Sequence, residues 1–167
     1  NPIEQEGTYP LPEAQLDRFL MQIDVAYPDE AAERDIILAT TGTDKTAAKK
    51  AMNDKDLMKI QKLVRAMPIG EQVVESILKL VRSARPGEDA GGMINEFVSW
   101  APGPRASQAL MLACRARALW DSRSAPSIDD VAALAVPVLQ HRMALNYKAQ
   151  SEGITKEDVI GTLSESL

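Results

Sequence analysis

Helical periodicity across most of the sequence is the feature that most limits its fold. Apolar residues recur every three or four positions across residues 54–67, 73–81, 106–121 and 128–138, so they share one face of each predicted helix. A last short helix is predicted to begin near Ile154. Only 4% of the residues are aromatic, so the core must be built from Leu, Ile, Val, Ala and Met. The sequence therefore predicts a mainly α-helical bundle.

One segment near the N-terminus has a different period. Residues Met21–Ala26 alternate apolar and polar side chains, which predicts a β-strand. No other segment predicts a strand as clearly, and a lone strand cannot satisfy its own backbone hydrogen bonds. We therefore expect this strand to belong to a sheet whose other members lie outside the sequence.

The remaining segments on the N-terminal side predict loops and short helices. Residues 1–12 contain three prolines and a glycine, which favour an extended loop. A short helix is predicted for Pro12–Phe19, because proline is well suited to a first helical turn. A second helix is predicted over residues 31–38, capped by Asp29, and a polar linker over residues 40–53.

Net charge and cysteine content argue against several classes of protein. A formal charge of -5 disfavours nucleic-acid binding, which depends on many Lys and Arg side chains. The single Cys114 cannot form an internal disulfide, and the sequence has no Cys and His cluster for zinc. It also has no run of roughly 18 or more apolar residues. We therefore expect a cytoplasmic protein with no bound metal, no membrane insertion and no nucleic-acid partner.

The sequence lacks the groups that would hold a nucleotide for hydrolysis. A phosphate-binding loop needs glycines before its lysine and hydroxyl, but Lys45–Thr46 follows Asp44, whose charge would repel phosphate. A metal-binding Asp-Glu pair should follow a buried strand directly. Asp29–Glu30 instead follows a proline and is better interpreted as a helix cap. The chain alone is therefore predicted not to hydrolyse ATP.

Two segments resemble the MoxR-type AAA+ ATPases: Asn1–Phe19, which ends in Leu-Asp-Arg-Phe, and Gly103–Ser107, which reads Gly-Pro-Arg-Ala-Ser. The resemblance extends over nearly the whole chain. It implies a helical lid domain over residues 54–167 and, over residues 1–30, a remnant of the α/β ATPase core with a loop, an arginine-finger helix and one strand. A connecting helix and linker would occupy residues 31–53. The phosphate-loop half of the core would lie outside the sequence.

The resemblance also implies roles for three polar side chains. Asn1 matches the sensor-1 position, where an amide orients the attacking water. Arg18 matches the arginine finger, which one subunit supplies to the nucleotide of its neighbour. Arg105 matches the sensor-2 arginine, which contacts a nucleotide phosphate and links the lid to the nucleotide state. A planar guanidinium suits the charge that accumulates on phosphoryl oxygens during transfer.

For the intact protein, the resemblance implies an ATPase that forms a hexameric ring and uses ATP and Mg²⁺ at its subunit interfaces. Such an enzyme would remodel or activate partner proteins in the manner of a chaperone. The chain would need the N-terminal half of the core and neighbouring subunits as partners, and no cofactor is expected for the chain alone. Two alternatives stay open. One is a non-enzymatic helical module that docks a protein partner. The other is part of a DNA-remodelling ATPase, which the negative charge disfavours.

Four further side chains are interpreted as parts of the packed interior. Cys114 lies on the inner face of its predicted helix and is expected to be a small buried hydrophobe. Trp100 and Trp120 are expected to pack in the core or at a hinge. His141 lies in a Leu-Gln-His-Arg stretch similar to one near the end of these lid domains. We interpret it as a packed or capping histidine.

Overall fold

The computed structural model of the protein describes residues 11–43, 48–88 and 90–167. Helices dominate these residues, which confirms the predicted mainly α class. The helices are α1 (Glu13–Leu16), α2 (Glu30–Thr41), α3 (Asp54–Ala66), α4 (Glu71–Ser83), α5 (Gly92–Phe97), α6 (Pro104–Trp120), α7 (Ile128–Leu139), α8 (Tyr147–Glu152) and α9 (Lys156–Ser164). Two short strands, β1 (Val98–Trp100) and β2 (Ala144–Leu145), and a 3-10 turn (Gln140–Arg142) complete the described elements.

The chain divides into two compact units. The described residues up to Gln22 belong with Leu63–Leu167 to the first unit, and Ile23–Lys62 form the second. In the second unit, α2 begins where the Asp29 carboxylate accepts a hydrogen bond from the Ala32 N–H at 2.8 Å. This contact is the predicted helix cap.

The core of the first unit lies among α4, α6, α7 and α9. Small side chains on the buried face of α6, mainly alanines and Cys114, allow the neighbouring helices to approach closely. Burial raises the pKa of Cys114 to about 12, so its thiol stays protonated. Cys114 is therefore a buried hydrophobe, as predicted. The larger fully buried side chains include Ile77, Leu80, Leu110, Leu139 and Ile160.

The start of α7 is fixed by a buried carboxylate. Asp130 accepts the Ser127 backbone N–H at 2.8 Å and forms a capping box with it. It also accepts hydrogen bonds from Arg123 at 2.8 and 2.6 Å and lies 3.1 Å from Nε of Arg117. The Arg123 hydrogen bonds hold the pKa of Asp130 below its usual value. These contacts set where α7 begins.

The segment predicted as a strand, Met21–Ala26, is not paired in a sheet within the described residues. Residues 21–29 have no regular secondary structure, and the Val25 side chain is 90% exposed. Alternating polarity does not by itself supply a neighbouring strand, and no strand within the described ranges pairs with this segment. The Gln22 N–H instead donates to the carbonyl oxygen of Pro137, at 2.8 Å. That carbonyl lies in the last turn of α7, where backbone acceptors have no partner within the helix.

The strands that do form are too short for the sequence pattern to show. Strands β1 and β2 pair antiparallel, with Val98 opposite Leu145 and Trp100 opposite Ala144. The prediction that Trp120 packs in the core or at a hinge is wrong, because its side chain is 89% exposed at the end of α6. No helix in the described ranges is both long enough and apolar enough to cross a bilayer.

Candidate functional site

Three arginine side chains line one cleft in the first unit. Arg18 lies on the turn that follows α1, Arg105 in the first turn of α6, and Arg142 at the end of the 3-10 turn that follows α7. The cleft has a volume of about 410 Å³. Several guanidinium groups around a space of this size suit a polyanion such as a phosphate chain, and not a divalent cation. The other lining residues are Asp17, Leu20, Gln108, Ala109 and Leu112.

Arg142 is only 2% exposed and links the segment that carries Arg18 to the end of α7. Its Nη1 donates to the carbonyl oxygens of Leu20, at 3.2 Å, and Val138, at 2.6 Å. Its Nη2 donates to the carbonyl oxygens of Asp17, at 3.2 Å, and Phe19. Its Nε donates to the Asp17 carboxylate at 3.2 Å. These bonds use all five N–H donors of a guanidinium. Burial lowers the pKa of Arg142, and the Asp17 charge opposes this shift.

The result is that residues 17–20 are bound to the end of α7. Three carbonyls of this segment accept from Arg142, and the Val138 carbonyl of α7 accepts from the same guanidinium. A single side chain thereby satisfies acceptors from two distant parts of the chain. We call residues 17–20 the arginine turn, because Arg18 lies within it.

Asp17 lies between two arginines. One carboxylate oxygen accepts from Nε of Arg142 at 3.2 Å, and the other lies 3.4 Å from Nη1 of Arg105. The Asp17 side chain is 19% exposed and that of Arg105 is 50% exposed, so the Arg105 contact is open to solvent while the Arg142 contact is not. The carboxylate therefore has one protected partner and one exposed partner.

Arg18 is exposed, and it differs from both other arginines because its guanidinium has no committed partner. Its backbone N–H donates to the carbonyl of Gln15 at 3.0 Å, and the Phe19 N–H donates to that of Leu16 at 3.1 Å, so the backbone continues the α1 turn. No hydrogen bond or ion pair joins the Arg18 guanidinium to another residue in the described part of the chain. Its five donors are available to a ligand.

Arg105 is presented by the start of the longest helix. Gly103 is the N-cap of α6 and Pro104 its first residue, where the missing N–H of proline costs no helical hydrogen bond. Arg105 follows directly, so its charge adds to the partial positive charge of the helix N-terminus. This end of α6 favours an anion for two independent reasons.

His141 packs beneath the arginine turn. Its Nε2 lies 3.2 Å from the Phe19 carbonyl oxygen, which can only accept, so Nε2 carries the hydrogen. The other ring nitrogen, Nδ1, is buried without a partner among the described residues. The interpretation of His141 as a packed histidine is therefore confirmed.

We expect the protein to lose stability as the pH falls from 7 to 5.5. Burial lowers the pKa of His141 below its usual 6.5, with Arg142 and Lys156 acting in the same direction and the Phe19 carbonyl and Asp17 opposing it. Near pH 6.5 the unfolded chain takes up a proton that the folded chain resists, so acidification lowers the free energy of unfolding. Urea denaturation at several pH values measures this dependence. His141→Gln, which cannot titrate, should show a shallower slope over this range, and a slope equal to that of the wild type would contradict the assignment.

Of the three residues that the family resemblance singled out, two share this cleft. Arg18 and Arg105 both line it, whereas Asn1 lies outside the described residues. Asp17 and Arg142 were not predicted as part of the site, although both stand in the Leu-Asp-Arg-Phe and Leu-Gln-His-Arg stretches noted in the sequence. The described residues contain no group of three or more His, Cys, Asp or Glu side chains that could hold a metal ion.

Comparison with known proteins identifies relatives of both ends of the chain. Residues 93–163 match the family model described as the AAA lid domain, and residues 1–21 match that of the ATPase family associated with various cellular activities. The chain is 35% identical over 168 residues to Chaperone MoxR1 of Mycobacterium tuberculosis, with 100% of this chain and 44% of that protein covered. It is also 35% identical over 161 residues to the uncharacterised protein YeaC of Bacillus subtilis, with 96% of this chain and 48% of that protein covered.

A solved structure gives the same result for the fold. The chain superimposes on the crystal structure of a candidate ATPase from Cytophaga hutchinsonii with a TM-score of 0.91 and 31% identity, covering 100% of this chain and 51% of the other. The chain thus spans about half the length of each of these proteins.

Proposed function

We propose that this chain, which belongs to the MoxR family of AAA+ ATPases, supplies the arginines that sense and promote the hydrolysis of ATP held by another part of the assembled enzyme. In this proposal Arg18 is the arginine finger and Arg105 the sensor-2 residue. Asn1 is the sensor-1 amide. The observation that carries the proposal is that Arg18 and Arg105 line the same cleft, one with no committed partner and the other at a helix N-terminus.

The chemistry of phosphoryl transfer fits these two side chains. Negative charge spreads over the phosphoryl oxygens in the transition state, and a guanidinium presents several N–H donors in a plane that matches them. Arg18 is free to approach such a group. Arg105 adds charge at the end of α6, where backbone N–H groups also favour an anion.

The shared cleft further supports action of both arginines on one nucleotide. Because Arg18 and Arg105 line one cleft of one chain, we propose that they bind the same anion. If Arg18 reaches the nucleotide of a neighbouring subunit, as an arginine finger does, then Arg105 reaches that nucleotide too. We therefore propose that both act in trans.

The proposal assigns the rest of the chain as follows. Residues 1–30 complete the ATPase core, residues 31–53 connect it, and residues 54–167 form the lid. ATP and Mg²⁺ would be gripped by the N-terminal half of the core, which with neighbouring subunits of a hexameric ring is the partner of this chain. The intact enzyme would work in the cytoplasm as a chaperone-like ATPase that remodels or activates a client protein, in keeping with the name of the Mycobacterium relative.

Mixing two polypeptides tests this function. We expect neither this chain nor a separately produced phosphate-loop half of the ATPase core to hydrolyse ATP alone, and the mixture to do so, because each lacks groups that the other supplies. Release of inorganic phosphate measures turnover. A matched control uses a phosphate-loop half whose phosphate-binding lysine is changed to alanine, which should stay inactive in the mixture. If the two halves associate and the mixture is still inactive, the chain is better explained as a non-enzymatic interaction module.

A further inference from the structure

The Asp17 carboxylate is the described partner of Arg105 in the cleft. Its outer oxygen lies 3.4 Å from Nη1 of Arg105, and its inner oxygen accepts from Nε of buried Arg142 at 3.2 Å. We propose that the Asp17 carboxylate is a displaceable substitute for phosphate, which occupies Arg105 until a polyphosphate takes its place. The inference rests on the proposed contact between Arg105 and a nucleotide phosphate.

The two contacts of Asp17 differ in how easily they break. The Arg105 contact is long, and the Arg105 side chain is half exposed, so water and salt screen it. Exposed ion pairs of this kind change an equilibrium by about fivefold or less. The Arg142 contact is protected, because Arg142 is 2% exposed and also holds three backbone carbonyls of the arginine turn. An arriving anion therefore breaks the outer contact first.

A polyphosphate competes well for the outer position. It carries more charge than one carboxylate, and its oxygens can accept two parallel N–H bonds from a guanidinium. The uncommitted guanidinium of Arg18 lines the same cleft and can bind the same anion. Asp17 remains attached to Arg142 after the exchange, so the arginine turn keeps its anchor.

The exchange links the two proposed functional arginines within one chain. Asp17 directly precedes Arg18, and its outer oxygen reports whether Arg105 is bound to phosphate. When phosphate takes Arg105, the residue next to the finger loses its second partner. Asp17 is therefore a positioning residue, which touches neither nucleotide nor reacting atoms.

Titration of the full chain with inorganic triphosphate tests the proposal. We expect Asp17→Asn to bind triphosphate about fivefold more tightly than the wild type, because the variant keeps an oxygen for Arg142 but no longer competes as an anion for Arg105. Isothermal titration calorimetry at low ionic strength measures the affinities. Glu157→Gln is the matched control, because it removes one exposed negative charge on α9, outside the cleft, and should leave the affinity unchanged. Adding Arg105→Ala to Asp17→Asn should abolish the gain.

Three results would overturn the proposal: an affinity of Asp17→Asn no higher than that of the wild type, an equal gain in Glu157→Gln, or a gain that survives removal of Arg105. A merely structural role for Asp17 would weaken binding and not tighten it. If Asp17→Asn does not fold, the unmutated chain still decides the question. The carboxyl carbon resonance of Asp17 should move on addition of triphosphate in the wild type and stay fixed in Arg105→Ala, and a resonance that does not move in the wild type rejects the exchange.

The result of the triphosphate titration can be distinguished from the result of the mixing experiment that tests the proposed function. Restored ATP turnover in the mixed halves together with an unchanged affinity of Asp17→Asn would reject the exchange alone. Tighter triphosphate binding by Asp17→Asn without turnover in the mixture would support the exchange and reject the ATPase role.

Discussion

Replacing Arg18 with alanine should lower the ATP turnover of the enzyme assembled from this chain and its nucleotide-binding half by about a thousandfold or more. The reason is that a finger arginine neutralises charge that develops on the phosphoryl oxygens only in the transition state, so its loss appears mainly in kcat. Arg18 is exposed and has no partner in the described part of the chain, so the change should alter the free energy of unfolding by no more than about 0.5 kcal/mol. Steady-state phosphate release at saturating ATP measures the effect.

The matched control for Arg18 is Arg34→Ala, an exposed arginine of α2 that does not line the cleft. Arg34→Ala should leave turnover within about twofold of the wild-type value, since surface changes away from a site have small effects. Mixed assemblies test action in trans. Subunits with Arg18→Ala and subunits with a defective phosphate loop should each be inactive alone and regain part of the activity together. Turnover of Arg18→Ala equal to that of Arg34→Ala would remove Arg18 from the finger role.

The helical part of the fold could be predicted from the sequence because it depends on local periodicity. Helices α4, α6 and α7 have apolar residues repeating at the helical period, and their buried faces match those residues. The start of α7 is also marked by a local signal, the capping box formed by Ser127 and Asp130. Patterns confined to one helix were sufficient for these elements.

The strand prediction cannot rest on the local pattern alone, because strand formation is not local. Met21–Ala26 has the right alternation, but a strand also needs a neighbour, and no strand pairs with it within the described ranges. The pair that forms, β1 with β2, joins segments of three and two residues that lie far apart in sequence. Elements so short carry no readable period.

Only part of the site could be predicted, because its contacts, like strand pairing, join segments that are far apart in sequence. The resemblance to the ATPase family pointed to Arg18 and Arg105, but not to the contacts between them. Arginines are mostly exposed, so nothing in the composition indicates that Arg142 is buried. Its acceptors are Val138 in the preceding turn and Asp17, Phe19 and Leu20 more than a hundred residues earlier. Only the folded chain brings these groups together.

Replacing Arg142 with methionine should lower ATP turnover in the same assembled enzyme by about a hundredfold, through the position of Arg18. Methionine fills a similar volume but donates no hydrogen bonds, so the arginine turn loses its attachment to α7. Displacement of a catalytic group by about 1 Å can cost about a hundredfold. The Val138 carbonyl, on a fully buried residue, would also lose the guanidinium N–H that donates to it, which should cost about 1–3 kcal/mol of stability.

Three measurements separate this positioning role from simple loss of fold. Turnover is expressed per folded molecule, with the folded fraction taken from urea denaturation, so destabilisation alone would leave it unchanged. Arg142→Lys keeps the charge without the planar fork and should recover part of the activity, while Arg82→Met, an exposed arginine of α4 outside the cleft, should behave as wild type. KM for ATP should change little in Arg142→Met, because the proposed function has the other half of the core grip the nucleotide, so that only the reach of Arg18 would be altered. Suppose that Arg18→Ala abolishes turnover in the assembled enzyme but Arg142→Met leaves kcat normal. This result would show that Arg18 acts without its attachment to α7 through Arg142.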